Sequence, residues 1–152
     1  QVSVAVNGEA QTGCLQGSYY TLRRKWNPGD QVVLTLDLRA HVVELNQAQA
    51  IVRGPIVLAR DSRFGDGDVD EASVIVQKEG YVDLQPSAAS DFAWMAFTVP
   101  MVLGTDLEGN RDPKPIHFCD FASAGNTWNK AERYRVWLPK TLNVMHSPYK
   151  PY

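Results

Sequence analysis

Five carboxylates fall within the eleven residues "DSRFGDGDVDE": Asp61, Asp66, Asp68, Asp70 and Glu71. Oxygen ligands at alternating positions of a short loop suit a hard cation, so Asp66, Asp68, Asp70 and Glu71 are the candidate Ca2+ ligands. The EF-hand pattern is not met. Counted from Asp66, the sixth position, which needs Gly, holds Glu71, and the twelfth, which needs an acid, holds Gln77. The competing expectation is a solvated acidic loop, or one paired with Arg60 and Arg63. No cofactor is expected, with Ca2+ at this loop as the alternative.

His117 and Cys119 stand two apart in strand-like sequence and share a face, which suits two ligands of a soft metal, but no third or fourth ligand accompanies them. Glycoside hydrolysis needs two carboxyl groups about 5 to 10 Å apart across a sugar. Nothing among the 17 acidic residues marks such a pair, so no catalytic residue is assigned. The chain has no G-x-S-x-G elbow, no P-loop and no G-x-G-x-x-G, which leaves serine-hydrolase and nucleotide chemistry without a motif.

Flat aromatic faces match the apolar faces of sugar rings. Of the four tryptophans, Trp26 and Trp94 are expected in the core. Trp128, in the loop "SAGNTWNK" beside Asn126, and Trp137, on the charged face of its strand, are the candidates for carbohydrate contact, with Asn126 as a polar partner. Docking onto another domain would use the same exposed rings equally well.

These side chains need a frame, and period-two alternation supplies it from end to end. In "QVVLTLDLRA" the residues Val32, Leu34, Leu36 and Leu38 share one face, which predicts a strand with one dry side. "YYTLRRKW" alternates too, and with the turn "NPGD" at 27–30 the segment 18–38 reads as a hairpin. Asn7-Gly8 in "VAVNGEA" predicts another, because both residues tolerate positive φ. Further strands are expected at 41–46, 50–60, 73–77, 80–84, 92–99, 115–121 and 133–138. "NKAER" at 129–133 has room for a single turn. The apolar succession Ile56, Val57, Leu58, Ala59 predicts a strand covered on both faces, starting at Gly54-Pro55.

Many short strands between Gly, Pro, Asn and Asp, with little helix, point to an all-β antiparallel sandwich, jelly-roll-like, over residues 1–152 as one domain. At 152 residues such a domain hides about 70 % of its unfolded surface. With 44 % hydrophobic residues, 21 % charged and a net charge of -2, neither nucleic acid nor a membrane is an expected partner. No run approaches the ~18 apolar residues of a membrane span, and "QVSVAVNGEA" lacks the basic start and apolar block of a signal peptide. Cys14 and Cys119 are too few for a disulfide framework. Two free buried thiols is the simpler expectation, and their spacing leaves pairing open.

Several blocks, in order, resemble the region that follows the catalytic barrel in family 127 of the glycoside hydrolases, the β-L-arabinofuranosidase-like proteins. They are "VNGEA" at 6–10, "GSYYTLRRKWNPGDQVVLTLDL" at 17–38 with an R-x-W-x-x-GD pattern at Arg24, Trp26, Gly29 and Asp30, and "RGPIVLARDSRF" at 53–64, headed by Arg53, Gly54 and Pro55. "FCDFASAGNTWNKAERYRVWLP" is similar to a C-terminal extension of a subgroup, so 118–152 is expected to pack on the sandwich. The resemblance implies that hydrolysis belongs to an (α/α) barrel with a glutamate and a zinc-bound cysteine cluster. Neither that barrel nor that cluster is in this sequence. It further implies a non-catalytic accessory region whose partner is the catalytic barrel of a parent glycoside hydrolase, in a periplasmic or extracellular setting. An autonomous carbohydrate-binding module, with polysaccharide as partner, and a cell-surface interaction domain are the alternative expectations.

Overall fold

The structure is a computed structural model that describes residues 2–88, 90–104 and 112–140. The predicted extension 118–152 is therefore described as far as Lys140. The chain divides into two compact units, Gln1–Leu38 and Arg39–Tyr152.

In the first unit, β1 (Val2–Val6), β2 (Glu9–Gln11) and β3 (Val32–Leu36) form an antiparallel sheet in the order β2-β1-β3. Asn7 and Gly8 make the predicted tight turn, with φ of 51° and 85°. The expected 18–38 hairpin does not form: 18–26 is irregular, and β3 pairs with β1, Val4 opposite Leu34. A polar clasp fixes this choice. The Asn7 amide nitrogen donates to Asp30 Oδ1 (2.8 Å), the Gln31 N–H donates to Asn7 Oδ1 (2.8 Å), and the Asn27 N–H donates to Asp30 Oδ2 (2.9 Å). Asp30 is held below the usual carboxylate range by the Asn27 N–H first and then by the Asn7 amide. Arg24 lies 3.5 Å from Asp30 and 5.1 Å over the Trp26 ring, so the R-x-W-x-x-GD residues brace a turn. Trp26, expected in the core, is 46 % exposed, and the expected dry face of β3 is also open, with Leu34 at 56 %. As the edge of a three-stranded sheet, β3 has a strand neighbour on one side only.

The second unit is one antiparallel sheet built from β4 (Ala40–Leu45), β5 (Ala48–Arg53), β6 (Ile56–Asp61), β7 (Ser73–Ile75), β8 (Gln77–Lys78), β9 (Tyr81–Val82), β10 (Gln85–Pro86), β11 (Ala96–Leu103), β12 (Lys114–Asp120), β13 (Tyr134–Arg135) and β14 (Leu138–Pro139). Its order is β10-β11-β12-β6-β5-β4-β9-β8. Its two edges nearly meet, because β7 pairs with β11 while β8, one residue further on, pairs with β9. The all-β antiparallel expectation holds, and the two walls facing each other across the core belong to one curled, barrel-like sheet. Ile51, Leu58, Val99, Met101, Ile116, Phe118 and Leu138 fill its interior.

Residues 50–60, expected as one strand, are a hairpin: Gly54 adopts a left-handed φ of 56°, and Val52 pairs with Val57. β6 is covered on both faces from Leu58 to Asp61, all buried, whereas Ile56 and Val57, expected in the same covered run, are half-buried and line a surface hollow. β11 begins at Ala96 rather than 92, because the Trp94 and Met95 N–H groups donate to side chains instead of to a strand. The 133–138 segment is two short bridges, β13 to β6 and β14 to β5. Among the described residues no helix is long and apolar enough to cross a membrane.

Candidate functional site

The end of β6 sets the centre of the site. Asp61 caps a short 3-10 helix, Ser62–Phe64, and its buried carboxylate accepts from Arg63 Nε (2.8 Å) and Nη2 (2.7 Å), from the Arg63 main-chain N–H (3.0 Å) and from the Gly125 N–H (3.0 Å). The same guanidinium donates to the Ser123 carbonyl (3.0 Å) and to Asn126 Oδ1 (2.8 Å), and it lies 3.9 Å over the Phe92 ring. One arginine thus ties the β6 end, the 123–126 loop and the 92 region together. Burial alone would raise the Asp61 pKa, but the Arg63 side chain and the two N–H groups outweigh it and hold the carboxyl below its ordinary range. The sequence singled out Arg63 as a counter-ion for the acidic stretch, and the carboxylate it pairs with is Asp61, at the start of that stretch.

The four candidate Ca2+ ligands turn to different cations. Asp66 accepts the His117 N–H (2.6 Å), sits 3.2 Å from His117 Nδ1 and lies 3.8 Å from Arg60. Asp68 lies 3.6 Å from Arg133 and accepts the Asp70 N–H (3.0 Å), while Asp70 pairs with Arg133 and Arg135. Glu71 adds to the negative field around Arg60. Arg60 itself is 1 % exposed and donates to the Asp68 carbonyl (2.9 Å), so the loop wraps a buried guanidinium. Burial pulls that guanidinium below the ordinary arginine range, against the pull of Asp66, Glu71 and Asp68. Among the described residues no three His, Cys, Asp or Glu side chains are grouped so as to hold a metal ion.

His117 and Cys119 sit on β12, as the alternation places them, but are spent separately. The His117 ring stacks on Phe64 (5.2 Å between centroids), and the Cys119 thiol faces the Ala59 carbonyl at 3.8 Å. Both thiols are free, Cys119 fully buried and Cys14 partly exposed. Burial, reinforced by Asp61 and Asp120, pushes the Cys119 thiol up to about 12. Since only the thiolate reacts, iodoacetamide at pH 8 is expected to modify Cys119 only after denaturant is added. Intact-mass and peptide spectrometry reads this out, and rapid native alkylation of Cys119 would contradict the burial.

The aromatic candidates are laid out differently from expectation. Trp128 is 92 % exposed at a left-handed φ of 57°, and Trp137 is 41 % exposed. Trp94, expected in the core, is 91 % exposed. The strand expected over 92–99 begins only at Ala96, so Trp94 lies outside it. Asn126 is committed on both ends of its amide, accepting from Arg63 and donating to the Phe92 carbonyl (3.0 Å).

Two hollows lie side by side on the outer surface of this sheet. One, of about 510 Å3, is lined by Ile56, Val57, Trp94, Met95 and Phe121 among others. The next, of about 360 Å3, shares Val57 and Phe121 and adds Val43, Val52, Val136 and Trp137. Together they make an apolar strip with Phe121, 50 % exposed, at its middle. Sequence alternation could not pair Trp137 with Phe121, sixteen residues away.

Among solved structures, this chain is similar to part of a chain described as "Glycoside hydrolase", with a TM-score of 0.64 and 19% sequence identity. The match covers 91% of this chain and 26% of that one, so this chain spans 26% of the length of the solved protein. At that identity the likeness is one of fold. No family model and no curated protein matches the sequence.

Proposed function

We propose that this chain is an accessory β-region of a glycoside hydrolase, without catalytic groups of its own, packing on a catalytic domain elsewhere in the parent protein. The apolar strip carries the proposal. A contiguous exposed apolar surface is costly in water and marks a docking site, and this one is made of large aromatic and branched side chains on a sheet, which gives it a fixed shape. Two further facts support the reading. The similar fold occurs as a minor part of a much longer glycoside hydrolase chain, and Asp66, Asp68 and Asp70 of the acidic loop are paired with Arg60, Arg133 and Arg135. The resemblance in the first 64 residues makes the proposal finer: an arabinofuranosidase-like parent, periplasmic or extracellular, with an (α/α) barrel as the covering domain.

The test separates this chain from the remainder of its parent and measures their association by calorimetry, with Phe121→Asp alongside. Aromatic anchors at the centre of an interface are worth about 2 kcal/mol or more, so the variant is expected to bind roughly thirtyfold more weakly. Turnover of arabinosides by this chain alone would overturn the accessory reading. Self-association through the strip with no affinity for the remainder would overturn it too, in favour of an interaction domain.

A further inference from the structure

We propose that the hollow between residues 91–94 and 126–127 is a subsite for a neutral sugar ring, with Trp94 as its stacking platform. The hollow is open, about 450 Å3, and lined by Asp91, Phe92, Ala93, Trp94, Asn126 and Thr127. Trp94 also borders the apolar strip, but on this side its ring and that of Phe92 stand beside a carboxylate, an amide and a hydroxyl.

The backbone beneath the indole is fixed. The Trp94 N–H donates to Ser123 Oγ (3.0 Å), the Met95 N–H to Asp120 Oδ1 (3.0 Å) and the Asn126 amide to the Phe92 carbonyl (3.0 Å), while Ala93 is buried. Ser123 and Asp120, which receive these bonds, are themselves buried and bonded to each other (2.9 Å). An indole 91 % exposed on a rigid frame keeps a large apolar face in water, and a rigid platform spares the ordering cost when a ligand arrives.

The lining selects the ligand. A sugar presents a flat C–H face to an aromatic ring and hydroxyls at its rim, and here Asp91 can accept from hydroxyls while the second N–H of the Asn126 amide can donate. Phosphate-bearing ligands are disfavoured, because a carboxylate lines the hollow and the nearby Arg63 is already bound to Asp61. Quaternary ammonium recognition uses a cage of several rings. Only Trp94 offers a free face, since the Phe92 ring is covered by Arg63 (3.9 Å) and Phe64 (4.9 Å). The subsite stands without the accessory reading, and its test needs no other domain.

Xylohexaose, cellohexaose and arabinohexaose are titrated into this chain while the tryptophan indole N–H resonances are followed by NMR, with choline chloride and oligo-dT as controls. At least one oligosaccharide is expected to shift the Trp94 signal. Trp94→Ala is expected to weaken binding by about tenfold or more, on the usual worth of ring stacking, and Asp91→Asn to weaken it less. Tyr19→Ala, equally exposed but outside the hollow, is expected to leave it unchanged. Trp94→Ala removes an exposed side chain, so its fold is preserved, as the remaining resonances would show. No shift with any of the three sugars, a shift with choline or oligo-dT alone, or undiminished sugar binding in Trp94→Ala would overturn the proposal.

Discussion

Arg63→Met is expected to destabilise the chain by about 3–5 kcal/mol, the range for removing one partner of a buried ion pair. Methionine keeps the aliphatic stem and deletes the charge. The Asp61 side chain is 0 % exposed and would be left with two main-chain N–H donors. The bonds from Arg63 to the Ser123 carbonyl and to Asn126 would go with it, loosening the 123–126 loop. The effect has a pH signature. In the native chain Asp61 has a depressed pKa, so its stabilisation is present above the unfolded carboxylate value of about 3.9 and is lost as pH falls through the lower folded value. In the variant, burial acts without its main opponent and raises the Asp61 pKa. The variant is therefore expected to lose stability at higher pH than the native chain, with its acid-unfolding midpoint moved upward. Urea titrations at neutral pH and circular dichroism along an acid titration measure both effects. A loss below about 1 kcal/mol with an unmoved acid midpoint would class the pair with ordinary surface ion pairs.

Asp120→Ala is expected to cost about 2–4 kcal/mol, because orphaned buried donors each cost about 1–3 kcal/mol. Asp120 accepts from the Met95 N–H, the Ser123 N–H and the Ser123 hydroxyl. Part of the cost falls where function is proposed, since the Trp94 N–H rests on Ser123, whose hydroxyl is oriented by Asp120. Amide exchange at Trp94 and Met95 is expected to speed up in the variant. Asp120→Asn, which keeps one oxygen acceptor, is expected to lose less. Equal stability and unchanged exchange in Asp120→Ala would show that water replaces the carboxylate and that the 91–95 segment is held by other means.

The strands were legible where alternation and turn chemistry agreed. Asn7-Gly8 and the two-sided cover of Leu58 and Ala59 were read from residue types alone, because positive φ and two-sided burial are local demands. The pairing of β3 was not: "YYTLRRKW" alternates as well as β1 does, and what decides between them is the Asn7–Asp30 clasp across 23 residues. Trp94 and the 92–95 segment were misread for a similar reason. Their N–H groups are satisfied by Asp120 and Ser123, which no periodicity reveals.

The same division runs through the site. Acidic residues at alternating positions around Asp66 announced a charged loop, and residue type alone fixed that much. Whether those charges converge on an ion or scatter onto arginines depends on where β12 and β13 bring His117, Arg133 and Arg135. Sequence determined an antiparallel β chain with exposed aromatics in its C-terminal part, since propensity and alternation act between near neighbours. Closure of the sheet through β7 and β8, the Asp61–Arg63 tie to the 123–126 loop, and the meeting of Trp94 with Asn126 were decided by tertiary structure alone. Each joins residues far apart in the chain, and the energy that selects such contacts exists only once the barrel has brought them together.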